Sequence, residues 1–170
     1  MGIWDVVPDG DRALWSFAPL VGVGPLRFGM SPGEVAEALG APYGVPAAPP
    51  GWEPVSLPSC TRLGVTGYFG AEGLAGVAVD ALRGPQVVLE GTTLVARVPS
   101  VVEEWLCDYV RVRDLDLRYT HAADPGSADL GLIVRAQRAG DVVLTRPLLL
   151  VREWVTDSWD CIPGEEWGRF

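Results

Sequence analysis

The chain has 170 residues, of which 22 are acidic and 13 are basic, so its formal net charge is −9 at pH 7. That length supplies one domain or two small ones with enough residues for a hydrophobic core. An apolar fraction of 48% excludes a disordered chain. The acidic balance argues against a nucleic-acid-binding protein, which needs a basic face to displace counterions. A basic protein is the partner that this charge favours.

The first half predicts a short strand, a helix and, after a long loop, three strands. Ser31 and Glu34 form an S-x-x-E capping box at the helix start, and Pro32 suits the first turn. Six prolines then interrupt residues 41–59, which predicts an extended loop. The strands of this half are predicted at residues 26–28, 65–69, 74–81 and 86–90.

The second half predicts a helix followed by three strands. Residues 99–110 place apolar side chains on one helical face and carboxylates on the other. Alternating polarity predicts strands at residues 114–119, 130–137 and 142–145, the last resuming over 148–154. Pro147 inside that last strand indicates a bulge or an edge strand.

An internal repeat organises these elements. A shift of 67 residues aligns residues 24–39 with 91–106, and five of the sixteen aligned pairs are identical. We therefore predict an α+β fold of two related units, each a helix packed on an antiparallel sheet. The predicted units are residues 1–90, with the proline-rich loop 41–59, and residues 91–155; an acidic, Trp-bearing extension follows over 156–170.

Motifs that indicate catalysis, metal binding or targeting are scarce. Cys60, Cys107 and Cys161 are scattered, and with one histidine they predict no metal site; no cofactor motif is present either. No targeting signal is evident, and the apolar stretch 147–151 is far shorter than the roughly 20 residues that span a bilayer. We predict a cytoplasmic protein that does not enter a membrane.

Two patterns suggest enzymes but have simpler explanations. Residues 29–33 match the G-x-S-x-G nucleophile elbow, yet that motif needs a parallel sheet and the capping box already explains Ser31. His121 lies in a turn-rich segment with Asp124 nearby, so the pair is a candidate general base with its orienting carboxylate. A solvated loop histidine is the favoured interpretation, and we assign no catalytic residue.

Seven tryptophans are the most unusual chemical feature. Trp154 comes just before the C-terminal extension and Trp159 lies within it, close in sequence to Asp157 and Asp160. Tryptophans among carboxylates supply anchors and electrostatic steering in protein recognition. These four residues are therefore the predicted partner-binding site. The alternative is that the tail folds back and buries its tryptophans against a sheet, and both can hold.

The segment GPLRFGMSPGEV (residues 24–35), with Ala38-Leu39-Gly40 after it, resembles a recurring GMT/S-x-x-E/Q-V…LG signature. That signature is similar to those of small bacterial proteins related to the β-lactamase inhibitory protein and the small outer-membrane lipoprotein A family, and to segments of immunity-type proteins encoded beside toxins. The resemblance covers 17 residues directly. It implies tandem helix-plus-sheet units that grip a partner through aromatic and acidic residues.

The sequence thus favours a protein-binding module, immunity-like or inhibitor-like, that sequesters a partner protein, with a basic partner favoured by the charge. The alternative is a small enzyme or small-molecule-binding protein with an aromatic pocket and His121, supported by Asp124, as acid/base. Catalysis is the less favoured of the two because no nucleophile or second base accompanies His121.

Overall fold

The computed structural model describes residues 2–40, 55–56, 63–156 and 162–167, and over these ranges the chain is a mixed α+β protein. No helix within them is long and apolar enough to cross a membrane. A short 3-10 helix, Asp9–Asp11, precedes the first strand. The α-helices are α1 (Pro32–Ala38), α2 (Pro99–Val112), α3 (Arg152–Thr156) and α4 (Gly164–Trp167).

Two sheets form the framework of the described residues. The strands are β1 (Leu14–Ala18), β2 (Gly22–Val23), β3 (Leu26–Arg27), β4 (Val55–Ser56), β5 (Val65–Gly70), β6 (Gly73–Val79), β7 (Gln86–Leu89), β8 (Thr92–Thr93), β9 (Arg118–Tyr119), β10 (Pro125–Ser127), β11 (Leu132–Ala139) and β12 (Val142–Leu150). One sheet has the order β3-β2-β1-β7-β8 and the other β4-β5-β6-β12-β11-β10-β9. Every pairing is antiparallel except that of β1 with β7.

Strands from both sides of residue 90 are combined in each sheet. In the seven-stranded sheet the β5–β6 hairpin joins the later strands through β6 and β12, with Leu149 opposite Val77. In the five-stranded sheet β8 joins the earlier strands. Strands from residues before and after 90 therefore lie side by side in both sheets.

The strands at the centre of the seven-stranded sheet are buried on both faces. Along them, alternate side chains enter two apolar clusters. The larger cluster lies between the two sheets and includes α1 and α2 through Val35 and Leu106. The smaller one lies on the opposite face and includes Tyr68, Leu148 and Ile162. We call this second surface the C-terminal face, because α3 and α4 contribute its cover.

The predicted helix starts are confirmed. Ser31 Oγ accepts a hydrogen bond from the Glu34 backbone N–H at 3.2 Å, and Glu34 Oε2 accepts one from the Ser31 N–H at 2.7 Å. The backbone N–H of Ser31, together with its side chain, holds the pKa of Glu34 below its usual value. Ser31 is a capping residue here, as the capping-box interpretation predicts. The second helix begins at Pro99, as predicted, and extends two residues further, to Val112.

The strand predicted over residues 114–119 is wrong except at its end. Asp114 has φ +54°, so the chain leaves α2 in a left-handed turn, and only Arg118–Tyr119 pairs with β10. Polar and apolar residues alternate in this segment, but Asp116 does not lie on the solvated face of a strand. Its side chain turns inward.

The last predicted strand is continuous over β12 rather than interrupted, and residues 152–156 are helical. Its register with β11 carries no bulge at Pro147, which lies opposite Val134. The Thr145 N–H bonds the Arg97 carbonyl, on the side away from β11. Pro147 lies two residues further along the strand, so its backbone nitrogen faces the same side as that of Thr145. Its missing N–H therefore removes no hydrogen bond from the β11 ladder.

Asp116 fastens the β9 region to the turn after β10. Its carboxylate accepts hydrogen bonds from Ser127 Oγ at 2.9 Å and from the backbone N–H groups of Ala128 and Asp129 at 3.0 and 2.8 Å. Arg118 Nε donates a further bond at 2.9 Å. Burial by itself would raise the pKa of Asp116, but these donors outweigh it and lower the pKa to about 2.

Asp116→Asn should therefore destabilise the fold by about 1–2 kcal/mol at pH 7, a figure reduced for the partial exposure of the carboxylate. Because the folded pKa lies below the unfolded one, this stabilisation is present above about pH 4 and is lost as the pH falls towards 2. Urea denaturation across that window should show the difference between the two proteins shrinking. Asp114→Asn, in the same loop, is the control, and a difference that is constant with pH would contradict this account.

Gly131 meets a backbone that leaves no room for a side chain. Its φ is +62°, and a Cβ added there would lie 2.1 Å from the Leu150 carbonyl oxygen. The Leu150 N–H in turn bonds the Gly131 carbonyl at 2.7 Å. This close approach joins the start of β11 to the end of β12.

Gly131→Ala should cost about 3 kcal/mol or more of unfolding free energy, since it adds a backbone clash to the strain of a positive φ. Gly91→Ala separates the two terms: Gly91 has φ +82° but nothing within 4 Å of the added Cβ. That control should lose only about 1 kcal/mol. Equal losses in urea denaturation would show that the clash is relieved without cost.

Candidate functional site

The described residues among the predicted sites lie at the C-terminal face. His121 and Asp124 follow β9, and Trp154 belongs to α3. The remaining predicted partner-binding residues, Asp157, Trp159 and Asp160, lie outside the described residues.

Asp124 is buried, and its carboxylate is engaged by two neighbours. Its Oδ2 accepts a hydrogen bond from Thr120 Oγ1 at 2.9 Å and one from Arg135 Nε at 3.0 Å. His121 is exposed, and its ring centroid lies 4.1 Å from that of Trp167. The cavity beside Asp124 and Ile133 is about 10 Å³, which holds one water molecule.

Two buried arginines lie at the centre of this face. Arg135 on β11 and Arg146 on β12 are direct cross-strand partners, and both side chains are less than 5% exposed. Glu166 of α4 lies over them and is fully buried. Arg146 Nε donates to Glu166 Oε2 at 2.9 Å and Nη2 donates to Oε1 at 2.8 Å, while Arg135 Nη1 donates to the Glu166 backbone carbonyl.

Further polar groups complete this cluster. Tyr68 donates its hydroxyl proton to Glu166 Oε1. Arg146 Nη1 lies 3.2 Å from Gln137 Oε1 and 3.6 Å from Asp80 Oδ2. Among the described residues, no buried side-chain nitrogen or oxygen lacks a hydrogen-bond partner. We call Tyr68, Asp80, Asp124, Arg135, Gln137, Arg146 and Glu166 the arginine cluster.

Charge pairing decides the protonation states inside the cluster. Burial by itself would raise the pKa of Glu166, but the hydrogen bonds and charge of Arg146 outweigh it, with Tyr68 and Arg135 adding to them, so the pKa is lowered. Burial likewise works to lower the pKa of Arg146, and Glu166 reverses that effect and raises it. Both groups are therefore ionised, and the arrangement joins α4 to the sheet.

Sequence periodicity does not reveal this cluster. Alternating polarity over residues 130–137 puts Leu132 and Val134 on one face of the strand and Arg135 on the other, and it carries no sign that both faces are buried. The signal that could have indicated the cluster is a charged residue inside an apolar run in each of two adjacent strands. These residues are Arg135 and Arg146. The partner, Glu166, lies in the tail, where no periodicity indicated that it would be covered.

The tryptophans of the C-terminal region pack against the sheet where they are described. Trp154 is half-buried and lies over the β5–β6 hairpin, where Cβ atoms added at Gly70 and Gly76 would come 3.4 and 3.5 Å from its ring. The Trp167 ring lies over the Arg135 guanidinium, 4.6 Å from its carbon. For Trp154 and Trp167, the structure shows the alternative arrangement, in which the tail folds back against the sheet.

An exposed tryptophan occurs at the other end of the chain. Trp4 is 49% exposed and Ile3 76% exposed, and Asp5 and Asp11 are exposed in the same segment. We call these four residues the N-terminal surface. Next to it, a groove of about 420 Å³ has Asp11 in its wall. Its other lining residues include Val7, Trp15, Leu39, Leu63 and Arg83.

The described residues contain no group of three or more His, Cys, Asp or Glu side chains placed to hold a metal ion. Comparison with protein-family models, with curated proteins and with solved structures finds no significant match to this chain. Its function is therefore inferred from its own residues and surfaces.

Glu166→Gln should loosen the C-terminal face, because it leaves Arg146 buried without its carboxylate. We expect a loss of about 3 kcal/mol in unfolding free energy at pH 7 and faster tryptic cleavage after Arg152. The Glu166 pKa is lowered by folding, so the wild-type advantage is present above about pH 4 and declines as the pH falls below it. Glu153→Gln on the exposed side of α3 is the control. Wild-type stability and cleavage rate in Glu166→Gln would refute a holding role for the pair.

Proposed function

We propose that the chain is a protein-binding module, immunity-like or inhibitor-like, that sequesters a basic partner protein. The observation that supports this most is the N-terminal surface, where Trp4 is exposed next to Asp5 and Asp11 is exposed seven residues further along the chain. Tryptophan is the commonest kind of energetic anchor in protein interfaces, and carboxylates steer a basic partner. The net charge of −9 acts in the same direction at longer range.

The neighbouring groove suits a long basic side chain. Its wall offers the apolar surfaces of Trp15, Leu39 and Leu63 and the carboxylate of Asp11. Two arginines also border the groove. The Arg12 guanidinium is buried and donates to the carbonyls of Val7, Ala81 and Gly84. Arg83 is exposed, so solvent screens its charge. An arginine or lysine of the partner would place its methylene stem on the apolar wall and its charge at Asp11.

The tandem organisation is part of this proposal. Some aligned residues share a local feature, which supports it: Pro32 and Pro99 begin α1 and α2, and Val35 and Val102 are buried. Gly24 likewise matches Gly91 in having a positive φ. The acidic Trp-bearing extension, with Trp154, Asp157, Trp159 and Asp160, is proposed as an additional contact region.

The enzyme alternative with His121 has less support. Asp124, its expected orienting carboxylate, is engaged by Thr120 and Arg135, and the adjoining cavity has room for one water molecule. Binding of a partner requires neither a substrate cavity nor a proton acceptor.

The proposal is tested by affinity capture from native lysate, with the intact chain as bait. We expect one dominant basic protein whose recovery falls as salt rises. Trp4→Ala combined with Asp11→Asn should weaken binding of that protein by about tenfold or more. Leu117→Ala, at an exposed site distant in sequence, and His121→Ala should leave it unchanged.

Three outcomes would count against the proposal. If no dominant partner is recovered from cells that express both this chain and its partner, a sequestering function is rejected. A partner indifferent to the Trp4 and Asp11 substitutions would reject the N-terminal surface. If the chain has a catalytic activity that His121→Ala removes while partner capture is unchanged, the enzyme alternative is favoured.

A further inference from the structure

The outward face of α2 carries a seam of four residues. Val101 is 60% exposed, Trp105 is half-buried, Asp108 is exposed and Val112 is 76% exposed. Their spacings of four, three and four residues are those of the a and d positions of a heptad. A different face of α2 packs into the core through Val102, Leu106, Tyr109 and Val110. A groove of about 280 Å³ between α2 and the end of β7 runs beside Trp105 and Val112.

This seam is complementary to itself when a second helix runs antiparallel. The order of spacings is the same in both directions, so Val101 meets Val112 of the second copy and Trp105 meets Asp108 of the second copy. The second pair places an indole N–H donor opposite a carboxylate acceptor. Parallel helices would instead place Asp108 against Asp108.

The charges that flank the seam are also complementary. Glu104 and Arg111 occupy the g positions on its border, and g positions face one another across antiparallel helices. Glu104 of each copy therefore meets Arg111 of the other, twice by symmetry. Within one chain Arg111 bonds Asp108 at 2.7 Å, but both groups are mostly exposed, and such a pair is readily exchanged.

We propose that α2 of one chain packs antiparallel against α2 of a second copy, forming a two-fold symmetric dimer. Arg113 does not compete for the pairing, because it bonds Glu90 at 2.8 Å and lies over the Tyr109 ring. The helix is about 21 Å long, so the interface is small and the dimer is a weak, reversible one. The dimer does not use the N-terminal surface and does not depend on the function proposed above.

The test is sedimentation equilibrium of the intact chain and of charge-reversed variants. Glu104→Arg and Arg111→Glu should each raise the dimer dissociation constant about tenfold, because each reversal turns two attractions into repulsions. The double variant restores both pairs with their signs exchanged, so its dissociation constant should return to within about threefold of the wild type. Glu37→Arg on α1 makes the same charge change elsewhere and should have no such effect.

A hydrophobic variant tests the seam itself. Val112→Asp should abolish the dimer, while Val142→Asp, at a similarly exposed valine of the β11–β12 hairpin, should not. Circular dichroism melts identify any variant that fails to fold. A wild-type chain that is monomeric up to the order of 1 mM overturns the proposal. So does a dimer that survives Val112→Asp, or a double variant no tighter than the single charge reversals.

Discussion

Burial of the seven-stranded sheet on both faces is the constraint that the rest of the structure depends on. One face is covered by the five-stranded sheet and α2 around an apolar core. The other carries Arg135 and Arg146, whose charges would be costly to bury unpaired. The carboxylate of Glu166 offsets that cost for Arg146 and so allows α4 to cover the face. The ion pair thus decides where the end of the described chain lies.

The arginine cluster also engages residues that the enzyme alternative would need. Asp124, the carboxylate expected to orient His121, bonds Arg135, and both belong to the arginine cluster that packs the C-terminal face. The surfaces proposed for recognition lie elsewhere: the N-terminal surface with its groove is proposed to bind a partner, and the seam of α2 is proposed to bind a second copy. One presents an aromatic anchor with carboxylates, and the other is complementary to itself, so partner binding and self-association need not compete.

Local patterns predicted local structure well, and long-range pairing escaped them. Ser31 and Glu34 gave α1 its start, and the predicted strands over 65–69, 74–81 and 86–90 match β5, β6 and β7 with ends that differ by at most two residues. The parallel pairing of β1 with β7 left no periodic signal. Alternation at Asp116 and Arg135 was misleading, because hydrogen-bonding partners remote in sequence satisfy these charges inside the protein.

The holding role of the Arg146–Glu166 pair is tested most directly by a double-mutant cycle in urea denaturation. Arg146→Met and Glu166→Leu each leave one buried charge without its partner. Each variant should therefore lose about 3–5 kcal/mol of unfolding free energy. The double variant buries two apolar side chains of similar size instead, and it should lose less than either single variant. Additive losses would contradict the account, because they would show that the two side chains stabilise the fold independently.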